Sequence, residues 1–282
     1  ETIKPDYFIN LAAQTFVGSS WDFPAQTWEC NTTGVIHILE AIRQHNPSCR
    51  FYNAGSSEEY GDVAYTPQDE SHPLRPRSPY GASKASARLI VKVYRESYNL
   101  YAIQGLLFNH EGTRRGEEFV TRKVTKGVAR IKKSILEGKS FEPIELGNVN
   151  ARRDWSDAED FVHGIWLMLN QDKPNEYVLS SNETHTISEF VSLAFKSADI
   201  EGVWHGEAES AEFSITTRDA IKYEPVTSVL VKINPKFYRP AEVDLLLGNS
   251  NAAREELGWN PKISFDNLVE RMVKYDIDNY KI

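Results

Sequence analysis

Apolar residues along this chain fall into two rhythms. Short unbroken runs at 7–10, 50–54 and 101–108 read as strands, and the stretches between them carry apolar side chains at helical spacing. In 33–44, Val35, Ile36, Ile38, Leu39 and Ile42 share one face. A longer helix is predicted from Ser78, a suitable N-cap, through Pro79 at the first helical position, to about residue 98. Strands alternating with helices of this length predict an α/β fold with a parallel, doubly wound sheet. The strand at 7–10 reads as buried and runs into the small-residue turn Leu11-Ala12-Ala13-Gln14.

After Phe108 the texture changes. Residues 109–123 are polar and loop-rich, and helices predicted at 124–137, 158–169, 187–198, 251–257 and 265–275 alternate with short strands. Tyr177-Val178-Leu179 reads as a strand that returns to the main sheet. The expected division is a sheet domain over 1–110, with 150–182 a candidate to rejoin it, and a smaller α/β domain over most of 111–282. The sequence holds no internal repeat and no low-complexity segment.

Charge and composition narrow the partners. With 32 Lys and Arg against 40 Asp and Glu, the net charge is −8, which argues against nucleic acid. It leaves room for an anionic small molecule, because a few placed arginines bind one. Cys30 and Cys49 are too few for a disulfide framework and lack metal-site spacing, so a reducing, cytoplasmic setting is expected. The seven histidines are scattered without ligand spacing, and no metal is expected. No apolar run approaches the ~20 residues of a membrane span, and the start, Glu1-Thr2-Ile3-Lys4-Pro5, has no signal core and no initiator methionine.

The candidate chemistry begins with Tyr80 and Lys84. A tyrosine four residues before a lysine puts both on one helix face, where the ammonium draws the phenol's pKa from about 10 toward neutrality. The preceding strand ends in Gly55-Ser56-Ser57-Glu58, at the carboxyl end where doubly wound sheets bind ligands. Ser56 would hold a reacting hydroxyl there, and Glu58 would be the general acid/base, its pKa raised where a closed pocket excludes water. Glu59, on a strand-like backbone, would point the other way. The plainer readings are a polar turn with a capping carboxylate, a tyrosine packed on the sheet and a solvated lysine. Taken together, the four side chains suit oxidation of an alcohol followed by removal of a neighbouring proton, a redox-assisted elimination.

Two further features bear on the ligand. Arg114-Arg115, Arg152-Arg153 and Arg239 supply guanidinium forks of the kind that suit a diphosphate, although surface duty is the default for any single arginine. There is no Gly-x-Ser-x-Gly elbow of a serine hydrolase. None of the 16 glycines forms the triplet that opens a dinucleotide-binding domain and cradles pyrophosphate at a helix N-terminus.

Several runs resemble a known family. Gly55-Ser56-Ser57-Glu58-Glu59-Tyr60-Gly61, Arg77-Ser78-Pro79-Tyr80-Gly81-Ala82-Ser83-Lys84 and Leu107-Phe108-Asn109-His110-Glu111 resemble the extended short-chain dehydrogenase/reductases of nucleotide sugars. Arg114-Arg115-Gly116 with Phe119-Val120-Thr121-Arg122-Lys123, Leu146-Gly147-Asn148 with Arg152-Arg153-Asp154-Trp155, and Tyr238-Arg239-Pro240 with Glu242-Val243-Asp244 are similar to the GDP-mannose 4,6-dehydratases among them. The similarity runs from about Lys4 to Tyr275. It implies a Rossmann-type fold with a smaller substrate domain, NADP as cofactor, and conversion of GDP-mannose to GDP-4-keto-6-deoxymannose on the way to fucose- or rhamnose-type sugars. Tyr80, aided by Lys84, would take the 4-hydroxyl proton held by Ser56, and Glu58 would remove the C5 proton and assist loss of the C6 hydroxyl.

By the same resemblance, Leu11, Ala12, Ala13, Gln14, Tyr80, Lys84, His110 and Arg115 would contact NADP. Asn109, Val120, Lys123, Gly147, Arg153, Arg239 and Glu242 would line the GDP-mannose site. The Arg114-Arg115 loop implies a homo-oligomer, a dimer or tetramer. The sequence departs from the family at Ser56, where threonine is usual, at Gln26, where an aromatic is usual, and in a longer 211–232 segment. The family's glycine-rich N-terminal βαβ portion has no counterpart here, so a fragment of such an enzyme is expected. A nucleotide-sugar 4-epimerase or another sugar-nucleotide dehydratase is the nearest rival. Glu58 speaks against the epimerase, which needs no base at C5. A non-catalytic module that kept the substrate half is the rival of another class.

Overall fold

Four strands run parallel in the order Tyr7–Asn10, Arg50–Ala54, Ala102–Leu107 and Val178–Leu179. The computed structural model describes residues 3–216, 228–238 and 245–280. The chain forms two units, one from Glu1–His110, Asp154–Thr184 and Leu245–Lys262, the other from Glu111–Arg153, His185–Asp244 and Ile263–Ile282.

Alternation along the strands of the first unit sends side chains to both faces of the sheet. Phe51 and Ala102 enter a core with Val35, Leu39, Ile42, Ala87 and Val91, from the helices Gly34–His45 and Pro79–Tyr98. Their neighbours Tyr52 and Ile103 enter a second core with Phe161, Ile165, Met168, Leu179 and Trp259. Helices therefore cover both faces, as a doubly wound sheet requires. The register Phe51↔Ala102 and Tyr52↔Ile103 places the strand ends, and the turns that follow them, side by side.

Three expectations need correction. The 7–10 strand is not buried: Tyr7, Phe8 and Ile9 are 37%, 36% and 45% exposed, because among the described residues it is the edge of the sheet with one hydrogen-bonded neighbour. The segment Leu245–Lys262, read with the second domain, packs in the first. Trp259 draws it there, buried in the core and donating from its indole Nε1 to the Asp160 carbonyl at 2.8 Å. Residues ahead of 33 are also helical, as Ser19–Asp22, Pro24–Trp28 and a π turn over Glu29–Thr33 that runs on into Gly34–His45.

In the second unit, strands Gly202–His205, Glu212–Ile215, Val229–Ile233 and Ile144–Leu146 form a sheet in that order, antiparallel except for the last, parallel pair. The helix Val120–Leu136 buries Val124, Val128, Ile131 and Ile135, a stripe at helical spacing, and packs with Ile187–Lys196 and Phe265–Asp278. No helix among the described residues is long and apolar enough to cross a membrane.

Candidate active site

The strand Arg50–Ala54 ends at Gly55, whose N–H donates to the Gly105 carbonyl at 3.0 Å. A Cβ at Gly55 would lie 2.4 Å from that carbonyl oxygen, so the approach needs a glycine. The chain then turns. Ser56 is extended and caps a single 3₁₀ turn over Ser57–Glu59, its Oγ accepting from the Glu58 N–H at 3.3 Å. The Glu59 carboxylate closes the capping box by accepting from the Ser56 N–H at 2.8 Å. The backbone is therefore helical where a strand was expected. Glu59 still points inward, fully buried, while Glu58 is half-buried and joins the cap through its backbone N–H alone.

The helix Pro79–Tyr98 starts where its sequence predicts, with Ser78 Oγ accepting from the Gly81 N–H at 3.0 Å and Pro79 at its first position. Its N-terminus seats on the Ser57–Glu59 turn: a Cβ at Gly81 would lie 2.5 Å from the Glu58 carbonyl oxygen. Tyr80 and Lys84 are both buried, with the Lys84 ammonium 5.9 Å from the Tyr80 ring centroid and donating to the Ala54 carbonyl at 2.9 Å. Burial pulls the Lys84 ammonium down to about 8. Ser56, Glu58, Tyr80 and Lys84 thus come from two elements in direct contact at the carboxyl end of the sheet.

The Leu11–Gln14 loop follows the edge strand in the same unit. Leu11 and Ala12 are exposed and Ala13 is half-buried. Gln14 is fixed by the π turn, its N–H donating to Asn31 Oδ1 at 2.8 Å and its carbonyl accepting from Asn31 Nδ2 at 3.0 Å. Asn31 also donates to Ser83 Oγ at 3.0 Å, tying the loop to the Tyr80–Lys84 helix. Gln14 Oε1 is buried and has no hydrogen-bond partner in the protein, an acceptor suited to a ligand N–H or O–H. His110, half-buried, stacks on Phe161 at 4.9 Å with its Nδ1 2.9 Å from the Phe108 carbonyl, and the Asn109 Oδ1 beside it is buried without a partner.

In the second unit, Arg115 pairs with the buried Glu111 at 3.1 Å and lays its guanidinium 3.5 Å above the Phe119 ring. Val120 opens the helix that carries Lys123. The Lys123 ammonium stands 3.6 Å from the Phe237 ring centroid, and its pKa is lowered by burial. Gly147 lies under the Phe237 carbonyl, where a Cβ would come within 2.5 Å. Lys123 and Phe237 line a cleft of about 640 Å³, with Lys126, Arg130, Glu145 and Lys232 at its walls. Arg153 is buried in the ladder Arg152–Arg153 with His185–Thr186, donating to the Arg152 carbonyl at 2.9 Å. Arg239 and Glu242 lie outside the described residues. Among the described residues no group of three or more His, Cys, Asp or Glu side chains is placed to hold a metal ion.

Sequence reasoning passed over Asn31 and a row of buried amides, Asn10, Asn53 and Gln104. The signal of the three strand amides was a polar residue inside an otherwise apolar strand, and Asn31, in the π turn, had none of that kind.

The fold is that of the Rossmann-type nucleotide-sugar enzymes. RMD from Pseudomonas aeruginosa, solved with NADPH, superposes with a TM-score of 0.80 at 21% identity, covering 99% of this chain and 83% of that one. The dTDP-glucose 4,6-dehydratase DesIV from Streptomyces venezuelae, solved with NAD, gives 0.75 at 22% identity, covering 97% of this chain and 74% of that one. In sequence, residues 1–272 match the family described as GDP-mannose 4,6 dehydratase. The chain is 45% identical over 279 residues to the GDP-mannose 4,6 dehydratase of Drosophila melanogaster, covering 98% of this chain and 67% of that protein. It is 40% identical over 278 residues to that of Homo sapiens, covering 98% and 71%. The chain belongs to the GDP-mannose 4,6-dehydratase family.

Proposed function

We propose that this protein converts GDP-D-mannose to GDP-4-keto-6-deoxy-D-mannose and water, with NADP as its cofactor. The reading rests above all on the buried Lys84, one turn after Tyr80, on a helix seated through Gly81 against the Ser56–Glu58 turn. A sugar hydroxyl and the carbon beside it can meet a phenol, an ammonium, a hydroxyl and a carboxylate held by these two elements. The NADPH-bound neighbour supports a nicotinamide nucleotide with its 2′-phosphate, and the partnerless Gln14 Oε1 offers an acceptor to an N–H or O–H of such a ligand. Leu11, Ala12, Ala13, Gln14, Tyr80, Lys84 and His110 would hold its nicotinamide half, and Arg115 would contact it as well. When bound there, a nicotinamide would supply the two-electron store that the transient oxidation at C4 requires.

The protein's own groups move the protons. Lys84, an ammonium with three N–H donors and one of them on Ala54, favours the Tyr80 phenolate, which takes the proton of the C4 hydroxyl as that carbon is oxidised. Ser56 orients the same hydroxyl. The new ketone acidifies C5–H, and Glu58 takes that proton while the electron pair expels the C6 hydroxyl, which leaves as water with the Glu58 proton. A proton then adds back at C5, balancing the one Tyr80 took. Asn109, Val120, Lys123, Gly147, Arg153, Arg239 and Glu242 are proposed to contact the nucleotide sugar, and the active form to be a homo-oligomer. With GDP-mannose and NADP supplied, Glu58→Gln should cut dehydration by at least about 100-fold. An unchanged rate of dehydration in that variant would remove Glu58 from its role as the base.

A further inference from the structure

Glu59 and three amides form one buried line of hydrogen bonds that crosses the sheet at the catalytic end. Asn10 Nδ2 donates to Asn53 Oδ1 at 2.8 Å, Asn53 Nδ2 to Gln104 Oε1 at 2.7 Å, and Gln104 Nε2 to Glu59 Oε1 at 2.8 Å. The four side chains are 6%, 2%, 0% and 0% exposed. Each of the three strands contributes one amide, and the in-register pairs Asn10↔Asn53 and Asn53↔Gln104 place them side by side. The direction is fixed, because the line ends on a carboxyl oxygen that accepts.

Both ends of the line reach a functional element. At one end Asn10 Oδ1 accepts from the Ala12 N–H at 3.2 Å, inside the Leu11–Gln14 loop. At the other, Glu59 Oε1 accepts from the Ser56 N–H at 2.8 Å. Gln104 Nε2 has a second bond, to the Lys84 carbonyl at 3.1 Å. One amide nitrogen therefore touches both the Ser56–Glu58 turn and the Tyr80–Lys84 helix. Room for slack is small: a Cβ at Gly55 would lie 2.8 Å from Glu59 Oε1 and 2.9 Å from Gln104 Cγ. Lys84 and Arg88 of the helix, with Tyr52 and Tyr60, are the charged and titratable groups that act on Glu59.

We propose that Glu59 and Gln104 are positioning residues for the reaction, a clamp that sets Ser56 and Glu58 in register with Tyr80 and Lys84. The proposal rests on the functional reading above. The Glu59 carboxyl is fully buried and bonded to the Ser56 N–H of the turn and to Gln104, whose amide in turn bonds the Lys84 carbonyl of the helix, so the pair spans the two elements that carry the chemistry. Burial pushes the Glu59 carboxyl up to about 8, so near neutrality it holds a proton and glutamine is its close mimic.

The test compares Glu59→Gln, Glu59→Leu, Gln104→Leu and the double variant Glu59→Leu/Gln104→Leu in the whole protein. Thermal unfolding, the exchange rate of the Ser56 N–H, and kcat and KM for GDP-mannose are measured on each. Glu59→Leu is expected to lower kcat by roughly 10- to 100-fold with KM within about twofold, and Glu59→Gln to keep kcat within about threefold. The double variant, which removes the Glu59–Gln104 bond from both sides but still strands Asn53 Nδ2 and the Ser56 N–H, should lose less stability than the two leucine variants summed and should not recover kcat. A wild-type kcat in Glu59→Leu, or a kcat that follows the melting temperature through the series, would overturn the clamp. Should the leucine variants fail to fold, Gln104→Asn, which draws the amide back by one methylene, must still lower kcat. Without any dehydratase turnover the functional reading fails. Ser56 N–H exchange, faster in Glu59→Leu and unchanged in Glu59→Gln, still settles the clamp.

Discussion

Gly81→Ala probes the point where the two catalytic elements touch. The added Cβ would lie 2.5 Å from the Glu58 carbonyl oxygen, against the 3.4 Å at which ordinary contact begins, so helix and turn must separate by close to 0.9 Å. Overpacking of this kind costs about 1–3 kcal/mol, and alanine's better helix propensity returns about 1 kcal/mol. Stability should therefore change little, by about 0–2 kcal/mol. The rate should not be spared, because a displacement near 1 Å between reacting groups costs on the order of 100-fold. The assay is kcat for formation of the 4-keto sugar nucleotide, with calorimetric unfolding on the same samples. Ala82→Gly, one residue along the same helix, serves as the control: it should lose about 1 kcal/mol of stability and little activity. A Gly81→Ala variant with the wild-type rate would show that the contact between helix and turn does not set the active geometry.

Other consequences follow from buried charges. Because burial holds Lys84 near 8, its positive charge is lost as pH rises through that value, and kcat should fall along a limb centred near pH 8. In Lys84→Met that limb should vanish and the rate drop by about 100-fold or more; a wild-type profile in the variant would exclude Lys84 as the charge that supports Tyr80. Asp154, buried beneath the Ser181 N–H and Oγ at 2.7 Å and the Gly248 N–H at 3.2 Å, has its carboxyl raised by burial to about 6. The folded protein then keeps a proton between about pH 4 and 6 that the unfolded chain has released, so this group's contribution to stability falls as pH rises through that window. Asp154→Asn should flatten that slope in unfolding scans, and Asp154→Ala should cost about 3 kcal/mol by stranding three donors.

The parts of the fold that were legible are those where burial and period coincide. The helices 34–45 and 79–98 show it, because each packs one apolar stripe on the sheet. The strand 7–10 was found but placed wrongly in depth, since three apolar residues read as core whether or not a neighbouring strand covers them. The helices before residue 33 were missed because Trp21, Phe23 and Trp28 face solvent while the buried positions, Ser20, Thr27, Asn31 and Thr32, are polar, so the segment shows no apolar stripe. At the candidate site, the shared helix of Tyr80 and Lys84 was legible from their spacing. Glu59 was not, because its role depends on Gln104 and Asn53, which come from two other strands and lie 45 and 6 residues away in the chain. Roles built from cross-strand contacts leave no local period to read.

The most direct test of the proposed reaction is the fate of the hydrogen on C4. The protein is supplied with NADP and GDP-mannose carrying deuterium at C4, and the product is read by NMR. Deuterium at C6 of a 4-keto-6-deoxy sugar, with no net reduction of the cofactor, is the expected result. Deuterium retained at C4 of a sugar that keeps its C6 hydroxyl would contradict the dehydratase assignment.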